Sequence, residues 1–176
     1  MITIEPPQSL SGSGLAGITR PAVSRFLIRA QKAVGLHGDV HVLLADDVTL
    51  KRLNKTFRGK DKPTDVLSFP AGPSTVFFNE PGGPELAGDL AISLETAARQ
   101  AIRFGHTLAE EVRILLLHGL LHLAGFDHET DAGEMSVREA DLRQQLGLPA
   151  GLIARSTKAA PQRVPGKASA VRRARA

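Results

Sequence analysis

Between Leu108 and Ala124 the chain carries Val112, Ile114, Leu115, Leu116, Leu117, Leu120, Leu121 and Leu123, which make a helix apolar on nearly every face. Such a helix must be buried on most sides, so the remaining elements have to be built around it. At 176 residues the chain is long enough for one ordinary domain with a core of that kind. A polar side chain in the deepest part of this helix needs a reason. From Ile114 to Leu123 there are two, His118 and His122.

Their four-residue spacing puts both imidazoles on one face, with Cβ atoms roughly 5–6 Å apart. Two rings on adjacent turns can converge on one cation without bending the backbone. Gly125 can take the left-handed conformation that ends a helix, turning the chain so that His128 is carried back towards the pair. The pattern is HxxxHxxGxxH. Three neutral nitrogen ligands with a fourth position left for water or substrate describe a catalytic zinc site. The chain has no cysteine, so any transition metal must be held by His and carboxylate. Any one of these histidines alone would read as an ordinary buried residue, but three in register with a breaker glycine favour a metal. His37, His41 and His106 lack such partners and are expected at the surface or a sheet edge. The zinc proteases place a Glu directly after the first His as general base. Gly119 stands at that position here, which favours metal-assisted phosphodiester hydrolysis over peptide hydrolysis.

The other elements follow from period and punctuation. Ile2 to Ile4 alternates as a short strand, and Gln8 to Gly17 is a Gly/Ser-rich connection. Apolar residues from Ala22 to Val34 recur at three- and four-residue steps, predicting a helix over 20–34 with Pro21 in its first turn and Gly35 at its end. His41 to Ala45 reads as a buried strand. Asp47 is expected to cap a helix over 48–57, with Leu50, Leu53 and Phe57 inward and Lys51, Arg52 and Lys55 outward. Val66–Phe69 and Leu90–Ser93 read as strands joined by a Pro/Gly-rich loop from Pro70 to Pro84. Helices are expected over 94–104, 108–124 and 132–146, the last two opened by the capping pairs Thr107 with Glu110 and Asp131 with Glu134. The fold class is therefore α+β, with a small mixed sheet of about four strands and about five helices.

The formal charge of +4 hides an asymmetry, since residues 151–176 hold seven basic residues and no acid, whereas residues 1–150 hold 15 basic and 18 acidic. One domain is expected over 1–151, followed by a basic, disordered extension over 152–176 that can attract RNA electrostatically or act only as a solubilising end. Met1 to Pro7 lacks the pattern of a signal peptide, and no apolar run reaches membrane-spanning length, so a cytoplasmic protein is expected. Lys51, Arg52, Lys55, Lys60 and Lys62 make residues 51–62 a basic stretch opposed only by Asp61. It is suited to a polyanionic backbone, or is merely a solvated helix face.

HGLLHLAGFDH from His118 to His128 resembles the signature of the YbeY family of RNA-processing metalloproteins. LNKTFRGKDKPTDVLSFP from Leu53 to Pro70 and AGDLAIS from Ala87 to Ser93 resemble two further segments of that family. The resemblance covers about residues 39–147. It implies an α+β fold and a zinc-dependent endoribonuclease specific for single strands, acting in maturation of the 3′ end of 16S rRNA and in ribosome quality control. It also implies one Zn2+ held by His118, His122 and His128 plus water, with the small ribosomal subunit and its assembly factors as partners. Arg58 falls at the position of an arginine that matters for activity in the family. A guanidinium can grip phosphate with two hydrogen bonds and stabilise charge developing at phosphorus. Asp127 can orient a ligand histidine or stabilise the turn. Thr64, Asp65 and Ser68 can line the cleft or serve as turn and strand residues. The competing functions are a non-catalytic metal-containing assembly factor and a zinc peptidase.

Overall fold

The structure is a computed structural model that describes residues 1–10, 15–72 and 85–149. The extension expected over 152–176, most of the loop from Pro70 to Pro84, and residues 11–14 of the first connection lie outside them.

Strand β1 (Ile2–Ile4) is followed by α1 (Arg20–Val34), which opens as its sequence predicts. The Thr19 hydroxyl accepts the Ala22 N–H, and Gly35 closes the helix with φ 84°. Val23, Phe26, Leu27 and Ala30 form its buried stripe. Then come β2 (Asp39–Ala45), α2 (Asp47–Arg58), β3 (Val66–Pro70), β4 (Leu86–Ser93), α3 (Leu94–Phe104), α4 (Leu108–Leu123) and α5 (Glu134–Leu146). The four strands form one mixed sheet in the order β1-β2-β4-β3. β1 and β4 run parallel to β2, and β3 runs antiparallel to β4. The architecture is the α+β fold expected.

Side chains alternate across the sheet, and each face has its own core. On one side Val40, Val42, Leu44, Leu90 and Ile92 join the main cluster with α1, α4 and α5. On the other, Leu67 and Ala91 pack with Leu50 of α2, flanked by Leu43, Leu53 and Phe69. α4 is buried on almost every side, as its composition requires. Its capping box is complete, with Thr107 and Glu110 each satisfying the other's backbone N–H. Among the described residues no helix is long and apolar enough to cross a membrane.

Several expectations are corrected. Asp46, not Asp47, caps α2, accepting the Thr49 N–H at 2.8 Å. Asp47 turns instead to the start of α3, where its carboxylate accepts from the Ser93 and Thr96 hydroxyls and from Arg99. Phe57 is 64% exposed: α2 overruns its core, and the ring rests edge-on against Phe69 with centroids 5.0 Å apart. β4 begins at Leu86, four residues earlier than its apolar run suggested, because Gly88 and Asp89 interrupt that run without interrupting the ladder. α5 begins at Glu134, where Asp131 accepts N–H groups of Gly133 and Met135 while Glu134 reaches back to Ala132. His106 is not a surface residue, since its ring is 7% exposed and hydrogen-bonds to the buried carboxylate of Glu111.

Candidate metal centre

α4 ends as its glycine predicted. The Phe126 N–H bonds to Leu121 O and the Gly125 N–H to His122 O, each at 3.0 Å, with Gly125 left-handed at φ 91°. This pattern satisfies the last carbonyls and swings the chain back over its own helix. The following turn is held by Asp127, whose carboxylate accepts the Glu129 N–H and the Thr130 hydroxyl, both at 3.1 Å. Those bonds, with the N–H of Glu129 first, and the nearby histidines keep the Asp127 carboxyl below the usual range despite an opposing push from desolvation.

The turn delivers His128 to the pair on α4. Ring centroids of His118, His122 and His128 lie 4.8, 5.2 and 5.3 Å apart. One nitrogen from each ring falls within 4.8 Å of the other two. His118 is buried, His122 half-buried and His128 exposed, so the cluster opens from the core towards solvent.

The chemistry of the three rings fits a metal. His118 Nδ1 lies 3.1 Å from Glu139 Oε2; a carboxylate only accepts, so Nδ1 carries the hydrogen, and in the neutral ring Nε2 is then the nitrogen with a lone pair for a metal. That Nε2 faces His122 Nε2 at 3.1 Å. Burial, with the adjacent His118 and His128, pushes the His122 pKa down to about 4, outweighing Asp127 and a backbone bond at Phe126. The ring is therefore neutral at physiological pH, the form that binds metals. Nitrogen ligands at about 2.0–2.1 Å from a tetrahedral zinc stand about 3.3 Å apart, close to the spacing of His118 and His122.

Sequence reasoning missed Glu139. The signal was there, because Met135, Glu139 and Leu142 form the buried stripe of α5, and a carboxylate on an apolar stripe requires a partner.

Gly119 explains the missing protease base. A Cβ there would meet Leu90 Cδ2 at 2.7 Å and the Ser68 hydroxyl at 3.2 Å, so this face of α4 is closed against the sheet. Ser68 is accordingly a packing residue whose hydroxyl bonds to Gly119 O at 3.4 Å. Thr64 and Asp65 sit at the start of β3, where Asp65 accepts from Thr64, the Val66 N–H and Gln100 of α3. The Gln100 bond ties the entry of β3 to α3.

Arg58 is exposed in the last turn of α2, on the face of the sheet opposite α4. The two helices nevertheless finish at one end of the sheet. Phe57 touches Phe69 near the end of β3, and a Cβ on Gly88, the partner of Pro70, would meet Leu123 Cδ2 at 2.8 Å. Lys51 and Lys55 both pair with Asp61, at 3.5 and 3.2 Å. Arg52, Lys60 and Lys62 are exposed. Asn54 ties the basic loop down by donating to Lys62 O at 2.8 Å.

Comparison with known proteins matches residues 17–147 to the family model described as Endoribonuclease YbeY. The chain belongs to the endoribonuclease YbeY family. A YbeY endoribonuclease of Koribacter versatilis is 51% identical over 146 residues, covering 83% of this chain and 90% of that protein. One of Solibacter usitatus is 51% identical over 140 residues, covering 80% and 88%. The match therefore includes all three histidines, Glu139 and Arg58 and stops short of the basic extension.

Proposed function

We propose that the protein is a zinc-dependent endoribonuclease that cuts single-stranded RNA, with His118, His122 and His128 as the metal ligands. The observation that carries this reading is the convergence of three imidazoles, graded from buried to exposed, in a chain of a family named for endoribonuclease activity. When bound, zinc supplies Lewis acidity and makes water acidic enough to give hydroxide at neutral pH. The protein's own part is to hold the three rings in place. Glu139 fixes the tautomer of His118, and the depressed pKa of His122 keeps that ring free of a competing proton.

In this reading Arg58 binds the phosphate next to the scissile bond and stabilises its developing charge. Arg52, Lys60 and Lys62 hold the flanking backbone, and Lys51 and Lys55, already shared with Asp61, contribute less. Phe57, largely exposed and next to Arg58 in the chain, is an aromatic side chain on which an unpaired base can stack. The biological substrate is then the 3′ end of 16S rRNA, within the cytoplasm, on the small ribosomal subunit and its assembly factors. The peptidase reading lacks the glutamate that follows the first ligand in the zinc proteases, because Gly119 stands there against the sheet.

Metal analysis of the purified protein, combined with cleavage of a single-stranded RNA by wild type and Arg58→Glu, tests this reading. The expected result is about one zinc per chain in both proteins and cleavage reduced by 100-fold or more in the variant, on the order of one lost charge-stabilising contact. Full activity in Arg58→Glu removes that residue from the mechanism. Metal binding without any cleavage leaves a non-catalytic assembly factor.

A further inference from the structure

Glu139 is 3% exposed, and it is a carboxylate in the main core. One oxygen accepts the Nδ1–H of His118. The other, Oε1, is buried with no hydrogen-bond partner. Among the described residues no Lys or Arg forms an ion pair with it, although Arg143 stands one turn further along α5 with its own Nε buried and unpartnered. A buried charge in this condition costs free energy unless something compensates it. A neutral imidazole supplies one hydrogen bond and no charge. A metal held at His118 Nε2, which faces the cluster, would bring a compensating cation to within one ring of Glu139.

We infer that Glu139 is a positioning residue for the metal. It stands one imidazole behind the ion, locks His118 in the tautomer that binds, and contributes negative charge that raises the basicity of that ligand. The inference rests on the three-histidine site holding a metal. It goes further in assigning the carboxylate an opposite effect in each state of the protein: it weakens the metal-free fold and strengthens the metal-loaded one. A glutamate that only packs and hydrogen-bonds would stabilise both states.

The test compares wild type, Glu139→Gln and Glu139→Ala at pH 8, using zinc affinity from chelator competition and thermal midpoints with and without the metal. Glutamine keeps the size of the side chain and an acceptor for Nδ1–H but removes the charge. Glu139→Gln should bind zinc about tenfold more weakly, within the 10–100-fold range of such partners, while its metal-free midpoint stays at or above that of wild type. Glu139→Ala, which also removes the acceptor, should lose more affinity than the glutamine variant. Zinc affinity within twofold of wild type in both variants overturns the inference, as does a metal-free midpoint that falls in Glu139→Gln as far as the loaded one. If wild type itself binds no zinc, the metal-site reading fails instead, and the two failures are distinguishable.

Discussion

Gly119 decides which hydrolase this histidine pattern can support. In the zinc proteases the residue after the first ligand is a glutamate, and the same helical position here is pressed against Leu90 and Ser68. The variant Gly119→Glu restores the protease pattern in sequence only. It would drive a carboxylate into the side chain of Leu90, which is 1% exposed, and leave the charge unpaired. The expected cost is at least about 3 kcal/mol, read as a lowered urea midpoint, with no gain of peptidase activity. A stable variant that hydrolyses casein would show that this face of α4 is open. The chain reports at residue 119 that a base is absent, but why it is absent depends on the neighbouring strand. Glu139 poses the same difficulty in reverse. Its place on the stripe of Met135 and Leu142 is legible, whereas its partner lies 21 residues away on another helix.

The elements themselves were largely legible, because each of α1, α3 and α4 carries a period and caps that agree with its packing. What periodicity could not show is where a helix outruns the surface beneath it. Phe57 continues the apolar stripe of α2 past the edge of its core, and tandem acids at 46 and 47 give no local sign of which one is the cap. That second ambiguity has an energetic consequence. Asp47 joins the start of α2 to Ser93 at the end of β4 and to Thr96 and Arg99 of α3. Burial pushes its carboxyl upward, but the bonds from Ser93, Thr96 and Arg99 together outweigh this and hold its pKa below the ordinary aspartate value. A carboxylate lowered on folding stabilises the protein fully above its unfolded pKa, and that stability is lost as pH falls through the folded value. Asp47→Asn should therefore lose about 2 kcal/mol near pH 7. It should also show a shallower decline in stability below about pH 4 than wild type. Parallel acid limbs in the two proteins would mean that Asp47 is not titrating against this network.

At the scale of the whole molecule, stability is distributed unevenly around the three-histidine cluster. The sheet and α4 share one continuous core, whereas α5 buries only Met135, Glu139 and Leu142 along its length. The turn over 125–133 is held by short-range bonds of Asp127 and Asp131. A cation shared by His118, His122 and His128 would fasten this turn to α4, and the bond from His118 to Glu139 would extend that fastening to α5. Removing it should loosen these parts first, because local opening follows the regions with least buried contact. At a zinc concentration about 100-fold above the dissociation constant, the ion adds about 2.7 kcal/mol, equivalent to a midpoint higher by roughly 5–10 °C for a domain of this size. Hydrogen exchange with and without a chelator locates that energy. Protection should fall across residues 125–149 while β2, β4 and the first turns of α4 keep theirs. Loss spread evenly over the sheet would mean that the ion holds the entire fold. Unchanged exchange at the turn would mean that His128 is not among its ligands.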